Sequence, residues 1–131
     1  MRRQDQIFSI LKTQSKRGEK IKGEGVVIFG DGEQARDFVY VDDVVEANIK
    51  AMDQTTNDVF NIGTGVATTV NVIYEQLAKA TGFEGSAKRE SSNPGEVYKI
   101  QLNNTKAREK LGWSPRVGRA QGLAETVASF R

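Results

Sequence analysis

The sequence predicts an α/β fold, because short runs of β-branched and aromatic residues alternate with segments of helical periodicity. The 131-residue chain has a globular composition, with 37% hydrophobic and 27% charged residues. Two apolar runs, Val26–Phe29 and Phe38–Val41, lack polar alternation and are typical of strands covered on both faces, as in a parallel sheet. We therefore expect a small α/β domain with a few short, partly parallel strands and about five helices.

The first predicted helix lies near the N-terminus, where Ile7, Ile10 and Leu11 recur at helical spacing and Gly18 ends the pattern. The first strand follows at Val26–Phe29 and leads into a glycine-rich turn.

The second strand, Phe38–Val41, is expected to lead directly into a helix. Asp42 and Asp43 are predicted to cap that helix, and Val45 and Ile49 belong to its apolar stripe.

A third strand and a helix are predicted in the middle of the chain. The strand is Val59–Ile62, and Gly63–Gly65 forms the turn after it. Thr68 or Thr69 is expected to cap the next helix, which Gly82 ends.

The last third has weaker signals. Residues 84–96 are polar and rich in turn formers, whereas Tyr98–Leu102 alternates as an extended segment does. Asn104 or Thr105 is expected to cap a short helix that Gly112 stops, and a last helix runs towards the C-terminus. Because no repeat or linker interrupts the sequence, we expect one domain over residues 1–131.

The composition excludes several kinds of chemistry. The chain has no cysteine and no histidine, which rules out disulfides, thiolate metal sites and every Ser-His or Cys-His mechanism. Its apolar runs are too short to span a bilayer, and its basic N-terminus lacks the pattern of a secretory signal. We therefore expect a cytoplasmic protein without a membrane span or a metal site.

The net charge of +2 is unevenly distributed. Residues 1–22 hold seven of the 19 basic and two of the 17 acidic residues, a local charge of +5 against −3 for the remainder. Such a segment could bind nucleic acid, but Phe8 is the only aromatic residue near those charges. The pattern favours a solvated helix face.

Two features could hold phosphate groups. Gly63–Gly65 lies where a phosphate loop would lie, but the third glycine of a dinucleotide fingerprint is missing, which favours a tight turn. Arg36 follows a glycine-rich turn, and its guanidinium fork suits phosphate oxygens. An exposed ion pair of Arg36 with Asp37 or Glu33 is the alternative. The sequence has no Tyr-x-x-x-Lys pair and offers no catalytic acid–base pair.

Several motifs of this sequence occur in the same order as in a known protein family. Residues 30–47, which read GDGEQARDFVYVDDVVEA, resemble the C-terminal half of the NAD-dependent epimerases and dehydratases, the extended short-chain dehydrogenases that act on nucleotide sugars. Val59–Gly65, Pro94–Val97 and Leu111–Pro115 agree in the same order. The family's Rossmann half, with its glycine fingerprint and catalytic tyrosine and lysine, is absent from the sequence. The resemblance therefore implies a truncated, substrate-binding portion that transfers no hydride alone, and NAD(P) is expected only in the complete family fold.

The resemblance also implies a binding site for a nucleoside diphosphate sugar. Val27 and Phe29 match the segment along the nucleobase, and Val70 matches an apolar contact near the base. Arg36 matches the arginine that contacts the diphosphate. Glu96 matches an acidic position that reaches the ribose hydroxyls.

One departure from the family pattern weakens this site. Asn93 stands where the family usually has a second arginine on the phosphates. A different function therefore remains open: an interaction module that no longer binds the ligand and pairs with itself, as a homodimer, or with a Rossmann-domain partner.

Overall fold

A computed structural model describes residues 26–54, 57–92 and 94–130. These residues contain four short strands and four helices, which confirms the α/β class. About five helices were predicted, and the one near Ile7 lies outside the described residues. The strands are β1 (Val27–Phe29), β2 (Ala35–Asp37), β3 (Ala67–Thr69) and β4 (Lys88–Glu90), and the helices are α1 (Val41–Met52), α2 (Val70–Thr81), α3 (Thr105–Leu111) and α4 (Arg119–Ala128).

The chain forms two compact units. Among the described residues, the first unit combines residues 26–34, 69–92, 94–98 and 123–130, and the second combines residues 35–54, 57–68 and 99–122. Because each unit is assembled from separated segments, neither corresponds to a continuous half of the sequence.

The first unit is built on a parallel strand pair and helix α2. Strand β1 pairs with β4 in the register Val27 to Lys88 through Phe29 to Glu90. Helix α2 buries Ile73 and other apolar residues on one face. The predicted cap is confirmed, because the Thr69 hydroxyl accepts a hydrogen bond from the N–H of Val72, 3.3 Å away.

The second unit surrounds a single tryptophan. Trp113 is only 1% exposed, and its indole N–H donates to the carbonyl of Asp43 at 2.8 Å. This bond satisfies the one polar atom of an otherwise apolar side chain. The buried cluster around it comprises Ala47, Ala107 and Leu111, with Val39, Phe60 and Ile62 packed against it.

Two of the predicted strands are wrong in position. The second lies at Ala35–Asp37 instead of Phe38–Val41, and Val41 already begins helix α1. Val59–Ile62 forms no strand; Phe60 and Ile62 pack against the tryptophan cluster instead. Phe60 and Ile62 are half-buried by this packing without a ladder of hydrogen bonds, whereas Val59 stays 81% exposed.

Strand β4 was missed because it has no apolar signal. Its three residues, Lys88 to Glu90, are all exposed and charged. They pair with β1 as an edge strand, and charged residues are common on such edges.

The predicted cap of helix α1 is also wrong. The N-cap residue is Tyr40, and no side chain caps the helix. Asp43 is buried instead, and its two carboxylate oxygens accept the N–H groups of Arg116 at 3.0 Å and Val117 at 3.1 Å. An aspartate in the first turn therefore anchors the loop after Trp113.

Candidate functional site

An open cleft of about 380 Å³ lies in the first unit, at the end of strand β1. It brings Phe29 and Glu96 to one surface, although they are 67 positions apart in the chain. Two carboxylates, an amide, a serine hydroxyl and two aromatic rings, one of them a phenol, therefore meet in one place. The cleft is lined by Phe29, Gly30, Asp31, Gln34, Ser92, Pro94, Gly95, Glu96 and Tyr98.

The floor of the cleft is fixed by the turn after β1. The buried Gln34 donates from its side-chain amide to the carbonyl of Phe29 at 2.7 Å. Gly32 has a φ of 75°, and a Cβ there would lie 2.1 Å from Oδ1 of Asn71. Only glycine adopts this positive φ without strain and also leaves room for the Asn71 side chain. The backbone of this turn therefore has one defined conformation.

Hydrogen bonds from the Asn71 and Arg89 side chains hold the turn after β1 in place. The Asn71 side chain donates to the carbonyl of Asp31 at 3.0 Å, and Nη2 of Arg89 donates to Oδ1 of Asn71 at 3.0 Å. Arg89 also donates to the Asp31 carbonyl. Strand β4 and helix α2 therefore both hold the loop that carries Asp31.

Tyr98 faces Asp31 across the cleft. Its hydroxyl donates to Oδ2 of Asp31 at 3.3 Å. Desolvation and the negative charge of Asp31 raise the pKa of Tyr98 above its ordinary value of 10.0. The phenol therefore stays protonated near neutral pH. It is suited to donate a hydrogen bond and unsuited to act as a general base.

The residues predicted to hold the nucleoside divide into two groups. Phe29 and Glu96 line the cleft. Val27 lies on β1 and Val70 opens helix α2; both are half-buried and neither lines the cleft. Asn93 lies outside the described residues.

Four polar side chains that line the cleft are not among the residues predicted from the sequence: Asp31, Gln34, Ser92 and Tyr98. The Gly-Asp-Gly turn was a usable signal for Asp31. By contrast, the sequence around Tyr98 shows only the apolar–polar alternation of an extended segment, which does not indicate a binding site.

Arg36, the predicted diphosphate contact, belongs to the second unit. It lies in the middle of strand β2 and is half-buried. Its Nη1 donates to the carbonyl of Ala35 at 2.7 Å.

The Gly63–Gly65 turn does not fit a phosphate loop. The N–H groups of Thr64 and Gly65 both donate to the Asp37 carboxylate at 2.8 Å. Burial opposes the ionisation of Asp37, but hydrogen bonds from Thr64, Gly65 and Leu102 outweigh it and hold its pKa below the ordinary 3.8. An internal carboxylate therefore occupies the place of a bound phosphate, and this turn does not fit the pyrophosphate of a dinucleotide.

The described residues add two findings about other kinds of site. No helix among them is long and apolar enough to cross a membrane. Nor do they bring together three or more acidic side chains in a way that could hold a metal ion.

Known proteins resemble this chain over nearly its whole length. Residues 3–126 match the protein family described as GDP-mannose 4,6 dehydratase. A putative UDP-glucose 4-epimerase of Methanocaldococcus jannaschii is 43% identical over 107 residues, which are 82% of this chain and 34% of that protein.

Solved structures agree with this similarity. The crystal structure of UDP-glucose 4-epimerase with UDP-glucose from Thermotoga maritima has a TM-score of 0.85 and 46% identity, over 95% of this chain and 38% of that one. A UDP-glucose 4-epimerase of Thermus thermophilus in complex with NAD has a TM-score of 0.80 and 27% identity, over all of this chain and 41% of that one. The chain thus spans about a third of the length of the relatives it matches.

Proposed function

Because the chain belongs to the GDP-mannose 4,6-dehydratase family, among the NAD-dependent epimerases and dehydratases, we propose that it is the nucleotide-sugar-binding portion of such an enzyme. The observation that carries the proposal is the meeting of Phe29 and Glu96 in one cleft. An aromatic ring suits a nucleobase, and a carboxylate suits the hydroxyls of a ribose.

The charges of the cleft indicate which part of the ligand it takes. Its described lining residues include the carboxylates of Asp31 and Glu96 and no lysine or arginine. Such a surface suits neutral hydroxyl-bearing groups and disfavours phosphate. We therefore assign the nucleoside end of the ligand to this cleft. The proposed contact of Arg36 with a diphosphate rests on the family resemblance alone.

The chain does not complete the reaction by itself in this proposal. The catalytic tyrosine and lysine and the NAD-binding fingerprint belong to the part of the family fold for which this sequence has no counterpart. NAD, when bound to that part, supplies hydride transfer.

Calorimetric and amide NMR titrations of the full 131-residue chain test the proposal. UDP-glucose, UDP, GDP and dTDP are the ligands, and NAD is the reference. We expect saturable binding of at least one nucleotide, with shifts at Phe29 and Glu96. Glu96→Gln should weaken it about 10- to 100-fold, the usual effect of losing a hydrogen bond to a charged group. Glu84→Gln, an exposed change in the same unit, is the matched control. No shift with any nucleotide would refute the proposal.

A second candidate function is an interaction module. Large apolar side chains stay exposed on helix α1, with Met52 at 83% and Val41 at 62%. Contiguous exposed apolar residues commonly mark a surface that another protein covers. Self-association and pairing with a Rossmann domain are the two forms that this function could take.

A further inference from the structure

Tyr98 brings a second aromatic ring to the cleft that Phe29 lines. Phe29 ends strand β1 and is half-buried, whereas Tyr98 reaches the same cleft from the segment after Pro94 and is 58% exposed. A large aromatic ring with this much exposed surface gains free energy when a flat apolar group covers it. The cleft therefore holds two rings that one flat ligand group can contact.

The orientation of the Tyr98 ring is fixed at its hydroxyl end. The hydroxyl donates to Oδ2 of Asp31 at 3.3 Å, and Oδ1 of Asp31 accepts the N–H of Glu33 at 2.9 Å. The backbone carbonyl of Asp31 is in turn held by the side chains of Asn71 and Arg89. The tip of the Tyr98 ring is thus tied to the turn after β1. A side chain that is already oriented loses little conformational freedom when a ligand binds.

The bond to Asp31 also decides what Tyr98 presents to a ligand. A tyrosine hydroxyl has one proton, and Tyr98 gives that proton to the Asp31 carboxylate. The raised pKa of Tyr98 keeps the proton in place near neutral pH. The part of Tyr98 that is left to contact a ligand is therefore its ring. Aromatic rings hold nucleobases by stacking, which every base allows because each has a flat π-face.

We propose that Tyr98 is a nucleobase-stacking residue of the cleft, so that a bound base contacts the rings of both Tyr98 and Phe29. The inference rests on the proposed function, because it requires the nucleoside end of a nucleotide sugar to enter this cleft. It adds a binding residue to which the family resemblance assigns no role. Since stacking tolerates every base, Tyr98 contributes affinity without selecting among uracil, thymine and guanine.

Calorimetric titration of the full chain with UDP, GDP and dTDP tests the role of the ring. Tyr98→Leu keeps an apolar side chain and removes the flat ring, so each nucleotide that binds should bind about 5- to 100-fold more weakly, as is usual when one stacked ring is lost. Tyr98→Phe keeps the ring and should recover most of this affinity. Val97→Ala is the matched control, since Val97 is 54% exposed, adjacent to Tyr98 and not part of the cleft lining. Circular dichroism checks that the variants fold.

The protons of the ligand report directly on the position of the ring. A base proton that lies over an aromatic ring resonates upfield, so H6 of UDP or dTDP, or H8 of GDP, should move upfield on binding. In Tyr98→Leu at saturation this movement should be smaller, because one of the two rings is gone. A Tyr98 that only supported the fold would change the affinity and leave the shift of the bound base proton the same.

The outcomes separate this inference from the proposed function. If Tyr98→Leu binds nucleotides as the wild type does, or if Tyr98→Phe loses as much affinity as Tyr98→Leu, the stacking role is overturned and the proposed function stands. The same holds if the bound base proton shifts equally in the wild type and in Tyr98→Leu, or if Val97→Ala is as weak as Tyr98→Leu. Absence of binding to all three nucleotides would overturn both.

Discussion

The carboxylate of Asp37 holds Thr64 by two hydrogen bonds. Its Oδ1 accepts the Thr64 N–H at 2.8 Å and the Thr64 hydroxyl at 2.6 Å. Its Oδ2 accepts the N–H of Gly65 at 2.8 Å and of Leu102 at 3.3 Å. One side chain on strand β2 therefore joins two segments that lie far from it in sequence. The stability of the second unit should consequently depend on the charge of the Asp37 carboxylate.

Asp37→Asn should destabilise the chain by about 1–3 kcal/mol, because an amide turns an N–H group towards backbone donors and leaves them unsatisfied. Urea denaturation at neutral pH measures this change. Asp53→Asn is the matched control; Asp53 is exposed at the C-terminal end of α1, where neutralising a negative charge costs nothing.

The same carboxylate predicts a dependence of stability on pH. The pKa of Asp37 is lower in the folded state than in the unfolded state. Its contribution is therefore fully present above the unfolded pKa of about 3.9 and is lost as the pH falls through the lower folded value. In Asp37→Asn this part of the acid dependence should disappear. An identical acid dependence in both proteins would contradict the assignment.

Gly63→Ala should also destabilise the second unit. A Cβ at this position would lie 2.8 Å from Cδ1 of Leu102 and 2.9 Å from Oδ2 of Asp37. Relief of this overlap moves the carboxylate and should cost about 1–3 kcal/mol. Gly118→Ala is the control, since a Cβ there meets no atom within 4 Å. Equal melting temperatures for the two variants would show that the turn is looser than the structure indicates.

The sequence predicted the periodic parts of the fold and missed the parts that depend on tertiary contacts. Helices at 41–52 and 70–81 were found because their apolar residues repeat at helical spacing. The position of strand β2 was not, since Arg36 and Asp37 are charged and their strand is defined by pairing with β3.

The candidate site was likewise predictable only in part. The resemblance to the family pointed to Phe29 and Glu96, which do line one cleft. The sequence predicts Asp43 as a helix cap, because a carboxylate in a first turn usually has that role, yet it binds a loop 73 positions away. Only a three-dimensional arrangement reveals such a partner.

Asp58 offers a direct test of the surface electrostatics. Hydrogen bonds from Lys106, from the N–H of Val59 and from Lys110 lower its pKa from 3.8 to about 2. Lys106→Gln should raise this pKa towards 3.8, and Lys110→Gln should raise it less. Carboxyl NMR titration measures both. Stability should hardly change, because exposed ion pairs contribute little. An unchanged pKa in Lys106→Gln would refute the proposed contact.

Substitution of Arg36 tests the proposed diphosphate contact separately from the proposed nucleoside contact. If its guanidinium binds the diphosphate, Arg36→Gln should weaken UDP about 10- to 100-fold, since a charge-assisted bond is lost, while uridine binding stays the same. Arg36→Lys should recover part of the affinity, because it keeps the charge but not the planar fork. Lys79→Gln, which removes an exposed positive charge on α2, is the control for non-specific attraction. Isothermal titration of each variant with both ligands gives the comparison. Equal losses for UDP and uridine would mean that Arg36 supports the fold of the second unit and does not contact the ligand, whereas a selective loss for UDP places the diphosphate at this side chain.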